Sequence, residues 1–456
     1  MEKSKKRVGM DLINGPVMKT MITFAIPMVL ASLLQQLYTS VDLMIIGKFV
    51  GSVGTVAVST GSELIDFMAI FSMAIAMGSQ VYMTQLVGAR DEQNLKDAIG
   101  TLFTLLIGMS LFITAAILVF HKPILTMLKC PADAYDEACA YMMIAALGIP
   151  FVYGYSGISS LLRAMGESKR PMIFIAVAAT VNIFADIFFV AVLHLDAAGT
   201  AIATVLSQIG SFTASFIYLM RHKETFDFRF ELSYFKINPS ALRRILVMAV
   251  PQLVRTFAVQ SSMLWVKAHI NDYGIIVSST YSIGNKVERL LQVFIMGIDG
   301  AAGAMMGQAI GAKKHDRVYK VMWTSLACSL AIACVIIVLF LTIPDVLYGF
   351  FTNDAAVIEM GRTFLRIMCV GIIIMSAASC FKGIASGAGA ALLSLLIGIL
   401  DGISRILACL VFYHVFHQGA VSYFWGAAFC MLIPGIISAA YFLSGKWKTK
   451  KLLSER

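Results

Sequence analysis

The sequence predicts an all-α integral membrane protein. Twelve transmembrane helices are expected in two parallel six-helix bundles, related by a pseudo-two-fold axis along the membrane normal. Three observations carry that expectation. Hydrophobic residues make up 59% of the 456 and charged residues 14%, with a mean hydropathy of +0.82, far from the mix of a soluble globular domain. Apolar runs of at least the roughly 20 residues that a bilayer requires recur along the chain with no long polar interval. The second half also repeats motifs of the first at a nearly constant offset.

In order, the apolar runs are centred in 18–47, 53–86, 98–120, 136–160, 171–193, 197–220, 241–266, 275–308, 319–344, 357–380, 389–413 and 420–443. The first follows a basic start, "MEKSKKRVGMDLINGPVMKT", which lacks the apolar core and small-residue cleavage site of a secretory signal. That start reads as a cytosolic tail, with the first span itself directing insertion. The second and eighth runs are longer than one crossing needs, an excess that tilt, a kink or extension into water would absorb. The runs are long and uniformly apolar instead of ten-residue alternations, which excludes an outer-membrane barrel.

Lys and Arg orient the spans. With both termini inside, the inner segments hold most of the 36 basic residues, among them Arg7, Arg90, Arg163, Arg229, Lys313 and Lys382. The outer turns hold few beyond Lys48, Lys122, Lys129 and Lys267. The positive-inside rule then gives an even number of spans with both ends in the cytoplasm. The expected organisation is a cytoplasmic tail at 1–17, a six-helix lobe at 18–220, a cytoplasmic linker at 221–240, a second six-helix lobe at 241–443 and a cytoplasmic tail at 444–456. Topology explains the net charge of +10, so nucleic acid is not an expected partner. The expected partners are membrane lipids and a small-molecule substrate, with no obligate protein partner and a monomeric state. No GxxxxGK[ST] loop marks a nucleotide site, which disfavours an ATP-driven pump. The eight cysteines show no metal-ligand spacing; Cys130 and Cys139 fall near the expected outer surface, where they could pair if the chain allowed it.

Four correspondences define the repeat. "FAIPMVLASLLQQL" around Pro27 aligns with "MAVPQLVRTFAVQS" around Pro251, an offset of 224. Gln85 and Gly88-Ala89-Arg90 align with Gln308 and Gly311-Ala312-Lys313 at 223. Gly166 falls opposite Gly387 at 221, and Gly199 opposite Gly419 at 220. Six helices per half is an even number, so both halves enter from the same side and the repeats are parallel, which is transporter geometry.

A scaffold has no need of ionisable groups at membrane depth, yet this chain carries several. Asp42, in "LLQQLYTSVDLMIIGKFVG", falls in the outer half of the first span or slightly beyond it. A carboxylate there faces the bundle interior or a wet cavity, or else reaches towards Lys48 or a neighbouring cap. Asp186 lies in "VNIFADIFFVAV", with Asn182 four residues earlier on the same face. It could share one site with Asn182 or serve only as a helix-to-helix hydrogen-bond partner. Gln35, Gln36 and Tyr38 could complete the polar patch around Asp42. Such a site would exchange a proton or hold Na⁺, and these residue types do not choose between the two. Glu63 and Asp66 are candidates for the entrance of a substrate cleft, and Gln252, Arg255 and Glu288 for its second half. Arg255 could screen an acid or repel a cationic substrate. Asp299, Asp401 and Arg405 also fall in apolar surroundings, Arg405 four residues after Asp401. Pro27 and Pro251 each remove one backbone hydrogen bond from a span, making them candidate hinges or static kinks.

The stretches "IPMVLASLLQQLYTSVDLMIIGKFVG", "GSQVYMTQLVGARD", "LLRAMGESKRPM", "NIFADIFFV" and "GQAIGAKK", together with the duplication, resemble the multidrug and toxic compound extrusion (MATE) family in its prokaryotic branch, over residues 14–445. That resemblance implies a secondary antiporter of a prokaryotic cytoplasmic (inner) membrane, not an enzyme, with no cofactor. It would export amphipathic cationic drugs or metabolites in exchange for H⁺ or Na⁺ by alternating access. It also assigns ion coupling to Asp42, Asn182 and Asp186, with Na⁺ as the one metal expected. Where several members carry an acid early in the seventh helix, this chain has "VPQLVRTFAVQ", with Gln252 and Arg255. The alternative is a lipid-linked saccharide flippase of the same superfamily, which would need basic groups in the cleft to hold a pyrophosphate.

Overall fold

A computed structural model describes residues 9–128, 130–222 and 235–449, and among these the chain is helical almost throughout, with no strand. The helices are α1 (Val17–Phe49), α2 (Gly51–Ala89), α3 (Glu92–Met127), α4 (Tyr135–Ala146), α5 (Ile149–Ala164), α6 (Lys169–Asp186) and α7 (Asp196–Arg221). After the linker come α8 (Pro239–Asn271), α9 (Ile275–Gly311), α10 (His315–Thr342), α11 (Pro344–Gly349), α12 (Ala355–Gly387), α13 (Ala391–His414), α14 (Val421–Phe429) and α15 (Leu432–Leu443). Among the described residues, eleven stretches are long and apolar enough to cross a membrane, and a twelfth span forms when the pair Ala132–Ala146 and Ile149–Ala164, bent by 41°, is counted as one. The expected run at 136–160 is therefore a broken helix, and Pro150 sits in the first turn after the break, where its missing N–H leaves no intrahelical bond unmade. The outer parts of both expected tails and most of the linker, with Arg7, Arg229, the basic residues beyond Thr449, and Lys129, lie outside the described residues.

Contacts divide the chain into two compact units. The first comprises Leu30–Met83 and Asp91–Ala249; the second comprises Asp11–Val29, Thr84–Arg90 and the chain from Val250 on. In the first unit α6 packs on α7, and α5 on both α3 and α7. Gly157 of α5 admits Leu106 of α3 so closely that a Cβ would lie 2.9 Å from Leu106 Cδ1. The buried Tyr153 donates its hydroxyl proton to the Met68 carbonyl at 2.8 Å.

In the second unit α12 is central, packed against α9, α10, α14 and α15. The buried Tyr348 of α11 donates to the Thr280 carbonyl at 2.9 Å and fills space that Gly284 and Gly361 leave open. The segment before α1 docks on this unit: Arg317 donates from Nε to the Leu12 carbonyl and from Nη1 to the Gly15 carbonyl, each at 2.8 Å. At the other end, Trp447 is 1% exposed and donates from Nε1 to the Phe442 carbonyl at 3.1 Å. Parts of both expected tails are thus folded against the second unit. Pro27 and Pro251 lie inside continuous helices. The turn after Pro27 is tightly seated, with Met28 over Gly300 and Val29 over Gly297.

Backbone geometry refines the repeat. Arg90 and Lys313 both adopt left-handed conformations, φ 58° and 56°, where α2 and α9 end. Gly166 and Gly389 (φ 87° and 65°) do the same after α5 and α12, and His194 and Asp196 (φ 52° and 47°) match His417 and Gly419 (φ 51° and 57°). All four pairs stand 223 apart. The pairings of Gly166 with Gly387 and of Gly199 with Gly419 are therefore corrected. A turn is defined by where the chain goes left-handed, and that position need not carry the same residue type in both halves.

Candidate functional site

In the first unit α1 carries a run of polar side chains. Thr39 and Ser40 bond back to the carbonyls of Gln35 and Gln36, each at 2.9 Å, which leaves the helix intact. Tyr38 interacts with Gln35 and feels the charges of Asp42 and Asp66. Gln36 is half-buried. Glu63 and Asp66, on α2, are exposed and act on one another.

Asp42 and Asp186 come together. Their carboxyl groups lie within hydrogen-bonding reach of each other. Asp186 is 1% exposed and Asn182, one turn earlier on α6, is 2% exposed. Asp42 Oδ1, both oxygens of Asp186 and Asn182 Oδ1 are buried with no donor bound to them among the described residues. Ionised carboxylates only accept hydrogen bonds, so two of them facing one another require a proton or a cation between. The oxygen donor set suits either one. Among the described residues, none of Asp42, Asp66 and Asp186 has a basic side chain as an electrostatic partner.

Directly after Asp186 the helix widens. Residues Ile187–Val192 form a π-helical turn, closed by the Leu193 amide donating to the Phe188 carbonyl at 3.0 Å. Such insertions are rare and cluster at functional positions. The sequence shows nothing of it, since "IFFVAV" is ordinary apolar helix. It equally misses Tyr141 of α4, 5% exposed and electrostatically coupled to Asp42, Asp66 and Asp186 at once. Only the polar ring in an otherwise apolar run could have pointed to Tyr141.

The second unit is arranged differently. Glu288 is 9% exposed, and Gln292 donates to its Oε1 at 2.5 Å. Asp401 and Arg405 form an ion pair at 3.8 Å on one face of α13, with side chains 8% and 10% exposed. Arg255 packs its stem against Gly398, and its charge acts on Asp401 and Asp299. Lys382, expected in an inner loop, belongs to α12 and acts on the same two acids. Gln252 is half-buried, and its carbonyl accepts from Thr256 Oγ1 at 3.0 Å. Arg255 thus answers to acids of its own unit, which the sequence left as one of two possibilities. The acids Glu288, Asp299 and Asp401 lie in the fields of Arg255, Lys382 and Arg405, whereas Asp42, Asp66 and Asp186 have no such counter-charge among the described residues. The cysteines are free thiols, Cys130 and Cys139 included.

The family described as MatE matches this chain twice, over residues 27–188 and 251–411. The probable multidrug resistance protein YpnP of Bacillus subtilis (strain 168) is 26% identical over 448 residues, 98% of this chain and 99% of the relative. The multidrug export protein MepA of Staphylococcus aureus (strain bovine RF122 / ET3-1) is 22% identical over 392 residues, 86% of each chain. Among solved structures, an outward-facing multidrug resistance MATE family transporter of the MOP superfamily superposes with a TM-score of 0.89 at 18% identity, covering 97% of this chain and 99% of the other. A MOP superfamily transporter from Pyrococcus furiosus, described as having a binding pocket of reversed polarity, gives 0.87 at 18% identity over 96% and 98%. The match to both halves accords with the internal duplication, and the superpositions with the fold.

Proposed function

The chain belongs to the MatE family, and from that premise we propose that it is a secondary antiporter that exports amphipathic, cationic drugs or metabolites in exchange for inward-moving protons. The observation that supports this reading is the uncompensated pair Asp42 and Asp186, whose carboxyls lie within hydrogen-bonding reach. One proton between them satisfies a donor and an acceptor at once. When that proton leaves, two carboxylates in contact repel by on the order of 5 kcal/mol at an effective dielectric near 20. That is enough to favour a second packing of α1 against α6. Asn182 holds its amide beside Asp186, and the π turn after Asp186 provides a backbone that can re-register by one residue. Re-protonation from the other side of the membrane would return the first packing. Alternating access then follows the family's duplicated design, in a multi-pass bacterial cytoplasmic membrane protein with both termini inside.

Na⁺ fits the same oxygen set, and the flux experiment discriminates between the ions. Purified protein in liposomes is loaded with ethidium and given a pH gradient or a Na⁺ gradient separately. Flux driven by the pH gradient and indifferent to Na⁺ is the expected result; flux driven by Na⁺ alone would transfer the site to that ion. Flux indifferent to both gradients would sink the antiport reading. A lipid-linked saccharide flippase would need Arg255 available for a pyrophosphate, whereas Arg255 is offset by Asp299 and Asp401.

A further inference from the structure

The second unit lines a partly open cavity of about 600 Å³, a volume typical of small-molecule sites. Its wall has an apolar part and a charged part. Met263, Met368, Met375 and Met431 supply flexible thioethers, joined by Val259 and Leu264, a lining that adapts to apolar bodies of varied shape. The charged part holds Lys267, Lys286, Arg289 and Arg405 against only two acids, Glu288 and Asp401.

Both acids are already engaged. Asp401 pairs with Arg405, while Glu288 accepts from Gln292 and lies in the field of Arg405. The surplus is therefore positive. Lys267 comes from α8, and Lys286 and Arg289 stand three residues apart on one face of α9. All three are exposed, and none forms an ion pair among the described residues. Deeper in the wall, Arg405 is 9% exposed, and its Nε–H, buried from solvent, has no acceptor among the described residues. A guanidinium donor in that state wants a planar anionic acceptor, and a carboxylate offers one.

We infer that this cavity is a binding subsite for amphiphiles that carry a carboxylate. The apolar body lies against the methionines, and the carboxylate faces Arg405 with Lys267 and Arg289 nearer the exposed side. Asp42, Asp66 and Asp186 of the first unit have no basic partner among the described residues, while the second unit holds a cavity with surplus bases, so the substrate class extends beyond amphipathic cations. The assignment rests on the export reading for the claim that the bound amphiphile is transported; binding itself does not depend on it.

The test compares two probes of like shape and opposite charge, 1-pyrenebutyrate and pyrenylbutyl-trimethylammonium. Each is titrated against the full-length protein in nanodiscs without any ion gradient, with protein-free nanodiscs subtracted. The carboxylate should bind at least about tenfold more tightly than the cation, as one charge-assisted contact implies. The double variant K267Q/R289Q alters only exposed, unpaired side chains. It should lose about tenfold for the carboxylate and nothing for the cation. A second variant, Arg405→Lys, keeps the charge and removes the Nε–H; it should also weaken the carboxylate. Tighter binding of the cation, or unchanged carboxylate affinity in a folded K267Q/R289Q protein, would overturn the proposal. Displacement of pyrenebutyrate by pyrophosphate but not by decanoate would also overturn it, in favour of a phosphate ligand. The same titration on D42N separates the two readings. Intact carboxylate binding with normal gradient-driven flux in D42N would remove the coupling role alone, and absent carboxylate binding in the wild type, with flux that D42N blocks, would remove the subsite alone.

Discussion

The carboxyl of Asp42, on α1, meets the carboxyl of Asp186, the last residue of α6 before the backbone widens into a π turn. Neither group has a basic partner, and Asn182 beside them leaves its amide oxygen without a donor among the described residues. In the proposed antiport, proton release and uptake at this pair is the step to which the remaining chain would be coupled.

If that pair carries the coupling, D42N and D186N should each reduce gradient-driven efflux by at least about tenfold, in line with loss of an interaction worth 1.4 kcal/mol or more. Insertion and monodispersity should stay as in the wild type, because the amide replaces the carboxyl at equal size. Efflux at the normal rate in either folded variant would refute the coupling role.

The ends of α2 and α9 cross at two equivalent glycines. A Cβ on Gly88 would run into the Gln308 carbonyl, and one on Gly311 into the Gln85 carbonyl, while Gln85 Nε2 donates to the Gly387 carbonyl at 2.6 Å. Main-chain atoms cannot turn aside as a side chain can. Gly88→Val and Gly311→Val should each destabilise by about 3 kcal/mol, the upper range for overpacking, and by similar amounts because the two sites are repeats of one another. Thermal unfolding in detergent measures both, and an unchanged midpoint would show that the crossing relaxes freely.

Charge balance in the second unit makes Arg255 a structural residue. Arg255→Gln strips Asp299 and Asp401 of one nearby counter-charge and should destabilise by about 1 kcal/mol, less than breaking a buried pair in contact, because Arg255 is half-buried and acts without direct ion-pair contact. D299N in the same background, which leaves the pair of Asp401 and Arg405 intact, should recover most of the loss. Non-recovery in the double variant would mean that packing on Gly398, not charge, is what Arg255 supplies.

On the exposed surface, Arg362 grips Asp345 with two hydrogen bonds of 2.6 Å each. That contact holds the Asp345 carboxyl below the usual carboxylate range. A carboxyl lowered in the folded state adds stability above its ordinary value, and the gain disappears as pH falls through the lowered one. The difference in thermal midpoint between wild type and Arg362→Ala should therefore be small near neutral pH, shrink further in high salt, and vanish in acid. A difference that grows on acidification would contradict this assignment.

How far the site can be read in the sequence depends on the range of the interaction. The i,i+4 spacing of Asn182 and Asp186 is a local property of one helix, and so is the placing of Asp42 within an apolar span. Composition and the length of the apolar runs likewise determine a helical membrane protein, because lipid leaves the backbone no other partner than itself. The duplication is also legible, although residue identity misplaces two of its turns.

Three features depend on non-local contacts or on backbone geometry. Tyr141 becomes a neighbour of three acids only when α4 packs against α3 and α7. The π turn after Asp186 has no signature in an apolar run, since i,i+5 bonding is a choice of packing and not of residue type. Apart from the i,i+4 pair of Asp401 and Arg405, the sign of each unit's polar centre is decided by groups far apart in the chain: Arg255 and Lys382 act on Asp299 and Asp401, and Arg405 on Glu288, across helices, while Asp42 and Asp186 meet one another. The sequence by itself determined the membrane, the repeat and the ionisable residues. The tertiary structure decided which of those charges are neutralised and which are left to bind something, because electrostatic energy depends on distances between helices that no local pattern encodes.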